Sequence, residues 1–133
     1  MSDSYPDDLL YTEDHEWARV EGDGKLVTVG ITQFAVGQLG DVTQVDLPRE
    51  GEMLKRGDVF GSVESVKAVS DLFAPVTGKV VKVNSPLSDS PEYVSEDPYD
   101  GGWMLQIEVS NKDELGKLMT SQAYETLVKE QEE

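Results

Sequence analysis

The spacing of chain-breaking residues through the middle of the sequence limits the fold more than any other feature. Pro48, Gly51, Gly57, Ala74-Pro75 and Gly78 cut the stretch 42–83 into pieces too short for helices of ordinary length. The pieces between them are valine-rich, and in 42–47 Val45 and Leu47 alternate with Gln44 and Asp46, the two-residue period of a strand. Residues 59–66 and 69–73 read as a hairpin turning around Lys67, followed by a further strand over 79–83. Short strands at such intervals argue for a small sandwich or barrel. A parallel α/β sheet would need long crossovers between its strands.

The flanking segments fit the same plan. Residues 9–12 and 17–20 read as strands interrupted by the polar Glu13-Asp14-His15-Glu16, and Asp23-Gly24 signals a tight turn joining 19–21 to 26–29. Thr32 is placed to cap a short helix running from Gln33 towards Leu39, which Gly40 ends. The stretch 85–102 is rich in Pro, Ser, Asp and Gly and is expected to be an extended surface loop before a strand over 103–109. Ser110, with Asp113 three residues on, predicts a capping box for a helix carrying Leu115, Leu118 and Met119. Another helix is expected from Ser121, with Tyr124, Leu127 and Val128 on one face, so a helical segment spans 111–130. A chain of 133 residues suits one domain, here 1–133, whose core needs no metal or disulfide to hold it.

Charge and composition remove several classes of function. With 27 acidic against 11 basic residues the net charge is −16, which repels nucleic-acid phosphates and anionic membrane surfaces. No nucleic acid or membrane partner is therefore expected, and most of the acidic residues serve solubility. No apolar run is long enough to span a bilayer. The opening Met1-Ser2-Asp3-Ser4-Tyr5-Pro6-Asp7-Asp8 lacks the pattern of a signal peptide or presequence, so a cytoplasmic location is expected. The absence of cysteine removes disulfides, zinc-thiolate sites and a cysteine nucleophile. His15 is the only histidine, and His15-Glu16 has Arg19 where a zinc protease needs its second histidine, so a local structural role is expected and no metal site. Gly22-Asp23-Gly24 is a turn, not a phosphate cradle, and Trp17 and Trp103 are expected in the core.

Chemistry concentrates at Ser65-Val66-Lys67-Ala68-Val69. A lysine on a hairpin tip is exposed and held at a fixed place, so an enzyme that acylates amines can approach it, and the small Ala68 leaves room beside it. The run Gly57-Asp58, Val63-Glu64-Ser65-Val66-Lys67-Ala68, Ala74-Pro75 and Gly78 resembles the lipoyl-attachment signature in order and spacing. Biotin carriers share that fold but typically flank their lysine with methionines, and here Val66 and Ala68 stand in those places. The missing cysteine also suits a carrier of a foreign dithiol. The resemblance reaches from Leu10 to about Leu127, through Tyr11-Thr12, His15-Glu16-Trp17, Gly30-Ile31-Thr32, Leu39-Gly40-Asp41, Leu47-Pro48, Ser70-Asp71, Asp97-Pro98-Tyr99, Gly102-Trp103 and Ala123-Tyr124-Glu125. On these motifs the chain resembles the H protein of the glycine cleavage system.

That resemblance implies a mainly β fold, a barrel-sandwich hybrid of two small sheets with a peripheral short helix and C-terminal helices, whose core hairpin motif lies in 57–83. It implies a non-catalytic carrier with lipoate on Lys67 and with Glu64, Val66 and Ala68 flanking the attachment site. Its partners would be a pyridoxal-phosphate glycine decarboxylase, a tetrahydrofolate-dependent aminomethyltransferase and a dihydrolipoyl dehydrogenase using FAD and NAD. A lipoyl ligase or a lipoyl/octanoyl transferase would attach the arm. In that family the aminomethyl group of glycine passes to the lipoyl disulfide, and Asp14, Glu16 and Asp71 match positions at the cleft where the loaded arm docks. An ammonium leaving water needs an opposing charge in hydrogen-bond reach, which Glu16 or Asp71 could supply. Phe34 departs from the histidine some members carry. Two other roles fit the same residues: a lipoate donor relaying the group to other complexes, and an unmodified acidic interaction domain.

Overall fold

The computed structural model describes residues 5–21 and 23–132, so Met1 to Ser4 of the acidic opening, Gly22 of the predicted turn and Glu133 lie outside the described residues. The valine-rich pieces become short antiparallel strands, as their breakers require. In chain order these are β1 (Leu10–Tyr11), β2 (Glu16–Glu21), β3 (Leu26–Ile31), β4 (Val42–Asp46), β5 (Met53–Leu54), β6 (Val59–Ser65), β7 (Val69–Phe73), β8 (Gly78–Val83) and β9 (Leu105–Val109). They form a six-stranded sheet ordered β1-β2-β3-β9-β8-β5 and a three-stranded sheet ordered β4-β6-β7. This is the expected barrel-sandwich of two sheets with a few short helices.

Alternation along the strands turns one face of each sheet inward. Val27, Val29, Val80, Leu105 and Ile107 of the larger sheet share one buried cluster with Val45, Phe60, Val63 and Leu72 of the smaller. Burial of each such side chain contributes roughly 1.5–3 kcal/mol. A second, aromatic cluster of Tyr5, Leu9, Tyr11, Trp17, Tyr124 and Val128 lies where the C-terminal helix covers β1 and β2. The rings of Tyr11 and Tyr124 stack there at 4.7 Å. Gly30 admits Trp17 into this cluster, because a Cβ at position 30 would sit 2.6 Å from the indole ring. The indole N–H donates to the carbonyl of Pro98 at 2.8 Å. Trp103 is only half-buried, under the Lys82 ammonium at 5.8 Å, so just one of the two tryptophans lies fully in the core.

The short helix α1 (Gln33–Leu39) forms as expected, with the Thr32 hydroxyl accepting from the Ala35 N–H and Gly40 closing it at φ 78°. Two other expectations need correction. The stretch 85–102 is not an extended loop: it holds a 3-10 turn at Ser85–Ser88 and a helix α2 (Glu92–Glu96). Leu87 and Val94 sink fully into the core and anchor it, and the Asn84 amide donates to the carbonyls of Gly101 and Trp103. Two apolar residues were enough to dock a segment whose composition is otherwise that of a loop. After β9, Asn111 replaces Ser110 as the cap, accepting from the Asp113 N–H at 3.0 Å, and the turn it starts (Lys112–Lys117) is 3-10 with no buried residue. Helix α3 (Ser121–Glu132) begins at Ser121 as expected, with the Thr120 hydroxyl accepting from the Ala123 N–H at 3.2 Å and the Ser121 hydroxyl donating to Asp7 at 2.9 Å.

Candidate functional site

Residues 65–68 form the tip of the β6–β7 hairpin. Ser65 organises it: its N–H donates to the carbonyl of Ala68 at 2.8 Å, and its hydroxyl accepts the N–H groups of Lys67 at 3.2 Å and Ala68 at 3.1 Å. The Val66 N–H donates to the carbonyl of Asp41 at 3.2 Å, tying the tip to the end of α1. Lys67 is exposed and in no ion pair among the described residues. Its stem lies over Gly40, where a Cβ would come within 3.3 Å of Cε. Val66 and Val69 stand 69% and 65% exposed beside it, an apolar pair with no packing role in this chain. Ala68 is exposed as well, and Glu64, half-buried, sits in register with Gln44 on one side and Val69 on the other.

The expected acids separate into two places. A cavity of about 420 Å³ opens between the β1–β2 turn, the foot of the hairpin and residues 117–119, and its lining includes Asp14, Glu16, Arg56, Phe73, Lys117 and Met119. Asp71 is not part of that lining; it is exposed on β7, in register with Ser62, which in turn faces Asp46 on β4. From Val69 to Phe73 the hairpin carries the backbone roughly 13 Å from its tip towards the cavity. Residues 117–119 are pinned over the cavity by two hydrogen bonds between Tyr11 and Met119, at 2.9 and 2.8 Å.

Glu16 differs most from the expected solvated or surface-cleft charge. It is 1% exposed, and its carboxyl accepts the Thr12 hydroxyl at 2.8 Å and the Phe73 N–H at 3.1 Å. Burial pushes the carboxyl up to about 8, although both hydrogen bonds favour the anion and Asp14 nearby opposes it. Burial thus favours the protonated form well above the ordinary carboxylate range. Asp14 is exposed on the same turn, its N–H donating to the Thr12 hydroxyl at 3.2 Å.

His15 has the structural role expected of it. It takes a positive φ of 72° in the β1–β2 turn, and its Nδ1 lies 2.8 Å from the Tyr124 hydroxyl, which lies 2.7 Å from the Thr32 hydroxyl. Burial pushes its imidazole down and the Tyr124 phenol up. Phe34 packs on the His15 ring at 4.7 Å. Among the described residues no group of three His, Cys, Asp or Glu side chains could hold a metal ion. No described helix is long and apolar enough to cross a membrane. The site residues that sequence reading missed are Thr12 as a partner of Glu16, the Phe73 N–H, Arg56 and Lys117. They come from four separate segments, and no spacing rule links them.

The arrangement pairs an exposed amine on a stiff tip with a buried acid on β2 that is hydrogen-bonded to the foot of the same hairpin at Phe73. Comparison with known proteins gives one answer. A family model described as "Glycine cleavage H-protein" matches residues 9–131. The "Glycine cleavage system H protein" of Anaeromyxobacter sp. (strain K) is 56% identical over 127 residues, which are 96% of this chain and 98% of that protein. Its counterpart in Oceanobacillus iheyensis is 54% identical over 127 residues, 96% of this chain and 99% of that one. A crystal structure of a glycine cleavage system H protein from Mycobacterium marinum superposes with a TM-score of 0.82 at 41% identity, covering 90% of this chain and 95% of that chain.

Proposed function

Because this chain belongs to the glycine cleavage H-protein family, we propose that it is a single carrier domain that holds lipoate on Lys67 and carries the aminomethyl group of glycine between the decarboxylase and the aminomethyltransferase, without catalysing either step itself. The observation that carries this reading is the exposed Lys67 amine on a hairpin tip that hydrogen bonds of Ser65 and Val66 hold rigid. The donor set fits an amide-linked arm. Among the described residues the amine carries no ion pair that acylation would break, and the glycine at position 40 leaves the lysine stem a path along the surface. When bound, lipoate supplies a disulfide that takes up and gives back the one-carbon unit, and dihydrolipoyl dehydrogenase renews that disulfide.

The chain's own residues then have distinct tasks. Ser65 and the Asp41 carbonyl fix the direction of the tip. Exposed Val66 and Val69, with Glu64 and Ala68, offer the modifying ligase or transferase an apolar and acidic face. Glu16 and Asp14 supply opposing charge to the cationic amine the arm brings to the cavity, and Asp71, exposed on β7 between the tip and the cavity, meets it on the way. The Phe73 N–H and Thr12 hydroxyl favour the ionised form of Glu16 that such an amine needs. Lining residues such as Phe73 and Met119 keep water from the labile carbon–sulfur bond.

Two measurements test the reading. Intact mass before and after incubation with an active lipoyl ligase should gain one lipoyl group, located on Lys67; an unchanged mass in folded protein removes the carrier role. The lipoylated protein should support glycine–bicarbonate exchange with purified decarboxylase. A protein that is lipoylated but inert in that assay would be a lipoate relay instead.

A further inference from the structure

The direction of the hydrogen bond between Thr12 and Glu16 is fixed by what surrounds the hydroxyl. Thr12 Oγ1 accepts two backbone N–H groups of its own turn, from Asp14 at 3.2 Å and from Glu16 at 3.1 Å. A hydroxyl has two lone pairs and one hydrogen. With both lone pairs filled, the hydrogen is left over, and Glu16 Oε1 stands 2.8 Å away to receive it. The other carboxyl oxygen takes the Phe73 N–H at 3.1 Å. Each oxygen of Glu16 thus has one fixed donor and a lone pair to spare in a carboxyl that lines the cavity.

We propose that Thr12 is a positioning residue of the cleft: saturated as an acceptor by its own turn, its hydroxyl is compelled to donate to Glu16, and so holds the carboxylate ionisable and aimed for the amine that the arm brings. This rests on the reading that Glu16 receives that amine. The charged or titratable groups that act on Glu16 are Asp14 on its own turn and Tyr124 on α3, while Glu13, Tyr11, Arg56 and Lys117 line the same cavity. Of these only Asp14, whose N–H the Thr12 hydroxyl also accepts, is disturbed by a change at Thr12, so the titration is followed in an Asp14→Asn background, where a shift reports the hydroxyl. In that background a threonine that merely capped the turn could be lost without moving the titration.

The test uses the unmodified full chain first. Carboxyl-carbon NMR of Glu16 against pH in the Asp14→Asn background should give a midpoint that Thr12→Val raises by about one pH unit, since a donor to the anion is lost, and that Thr12→Ser returns to its original place. In the unsubstituted protein the Thr12 hydroxyl proton should exchange slowly, show proximity to Glu16 and follow its titration, a measurement that stands even if Thr12→Val fails to fold. A midpoint unmoved by Thr12→Val, or a hydroxyl proton indifferent to Glu16, overturns the proposal. In the lipoylated protein Thr12→Val should leave lipoylation complete and shorten the lifetime of the aminomethyl-loaded form several-fold, with Thr12→Ser restoring it. An unchanged lifetime beside a shifted midpoint also overturns the positioning role. Refusal of Lys67 to be lipoylated would instead sink the carrier reading, and the titration would still decide what Thr12 does to Glu16.

Discussion

Replacing Lys67 by arginine keeps a cation at the hairpin tip and removes the amine on which an acyl group can be built. Because the side chain is exposed and unpaired, Lys67→Arg should abolish lipoyl loading in a ligase assay while changing unfolding free energy by no more than about 0.5 kcal/mol. A large loss of stability would mean the lysine is structural. Glu16 behaves in the opposite way. Its carboxyl is raised from an ordinary 4.5 to about 8, so between those values the folded state holds a proton the unfolded chain has released. Stability from this group is fully present below pH 4.5 and is lost as pH rises through about 8. Glu16→Gln should remove that slope. Urea midpoints measured from pH 5 to 9 should show the unsubstituted protein losing ground to the variant up to about pH 8 and running parallel above it; parallel curves throughout would refute the shift. Since Glu16 lines the cavity and Asp71 does not, Glu16→Ala should shorten the life of the loaded form more than Asp71→Ala does. The reverse ranking would place the docked amine on β7.

Helix α3 is linked to α1 by one hydroxyl. Tyr124 Oη lies 2.8 Å from His15 and 2.7 Å from Thr32, and Thr32 also caps α1, whose end at Gly40 underlies the Lys67 stem. Tyr124→Phe keeps the ring stack with Tyr11 and leaves two polar groups without their partner, so it should cost roughly 1–3 kcal/mol in urea unfolding. Combined with Thr32→Ala, itself worth about 1 kcal/mol as a lost cap, the two costs should fall short of additive by a measurable coupling. Strict additivity would show that the helices are energetically independent. The sequence disclosed every described strand but the two-residue β5, as well as α1 and its cap, because their signals are local: period-two valines, Thr32 three residues before Ala35, and Gly40 at the helix end. It misled over 85–102, where composition stood for a loop and burial of Leu87 and Val94 won. It also misplaced the cap after β9 by one residue. Ser110 and Asn111 are equally good cap formers, and choosing between neighbours depends on where the preceding strand releases the chain.

For the molecule as a whole, a charge of −16 makes encounter with basic partner surfaces an electrostatic event. Raising ionic strength from about 0.05 to 0.5 M should raise the KM of the decarboxylase for this protein severalfold while kcat changes little. An insensitive KM would assign docking to the exposed Val66 and Val69 instead. The hairpin with Lys67 displayed at its tip, and the family, were legible in linear order because a hairpin motif is contiguous: its turn chemistry, strand period and displayed side chain all lie in neighbouring residues. The cleft was legible only in part. Asp14, Glu16 and Asp71 could be named from resemblance, but their division between a cavity and an open strand could not. Nor could the upward shift of Glu16, its hydrogen bonds to Thr12 and Phe73, or the place of Arg56 and Lys117 in the same cavity. Those properties depend on which distant segments exclude water from one carboxyl. Solvent exclusion is a property of three-dimensional packing, and no local pattern along the chain encodes it.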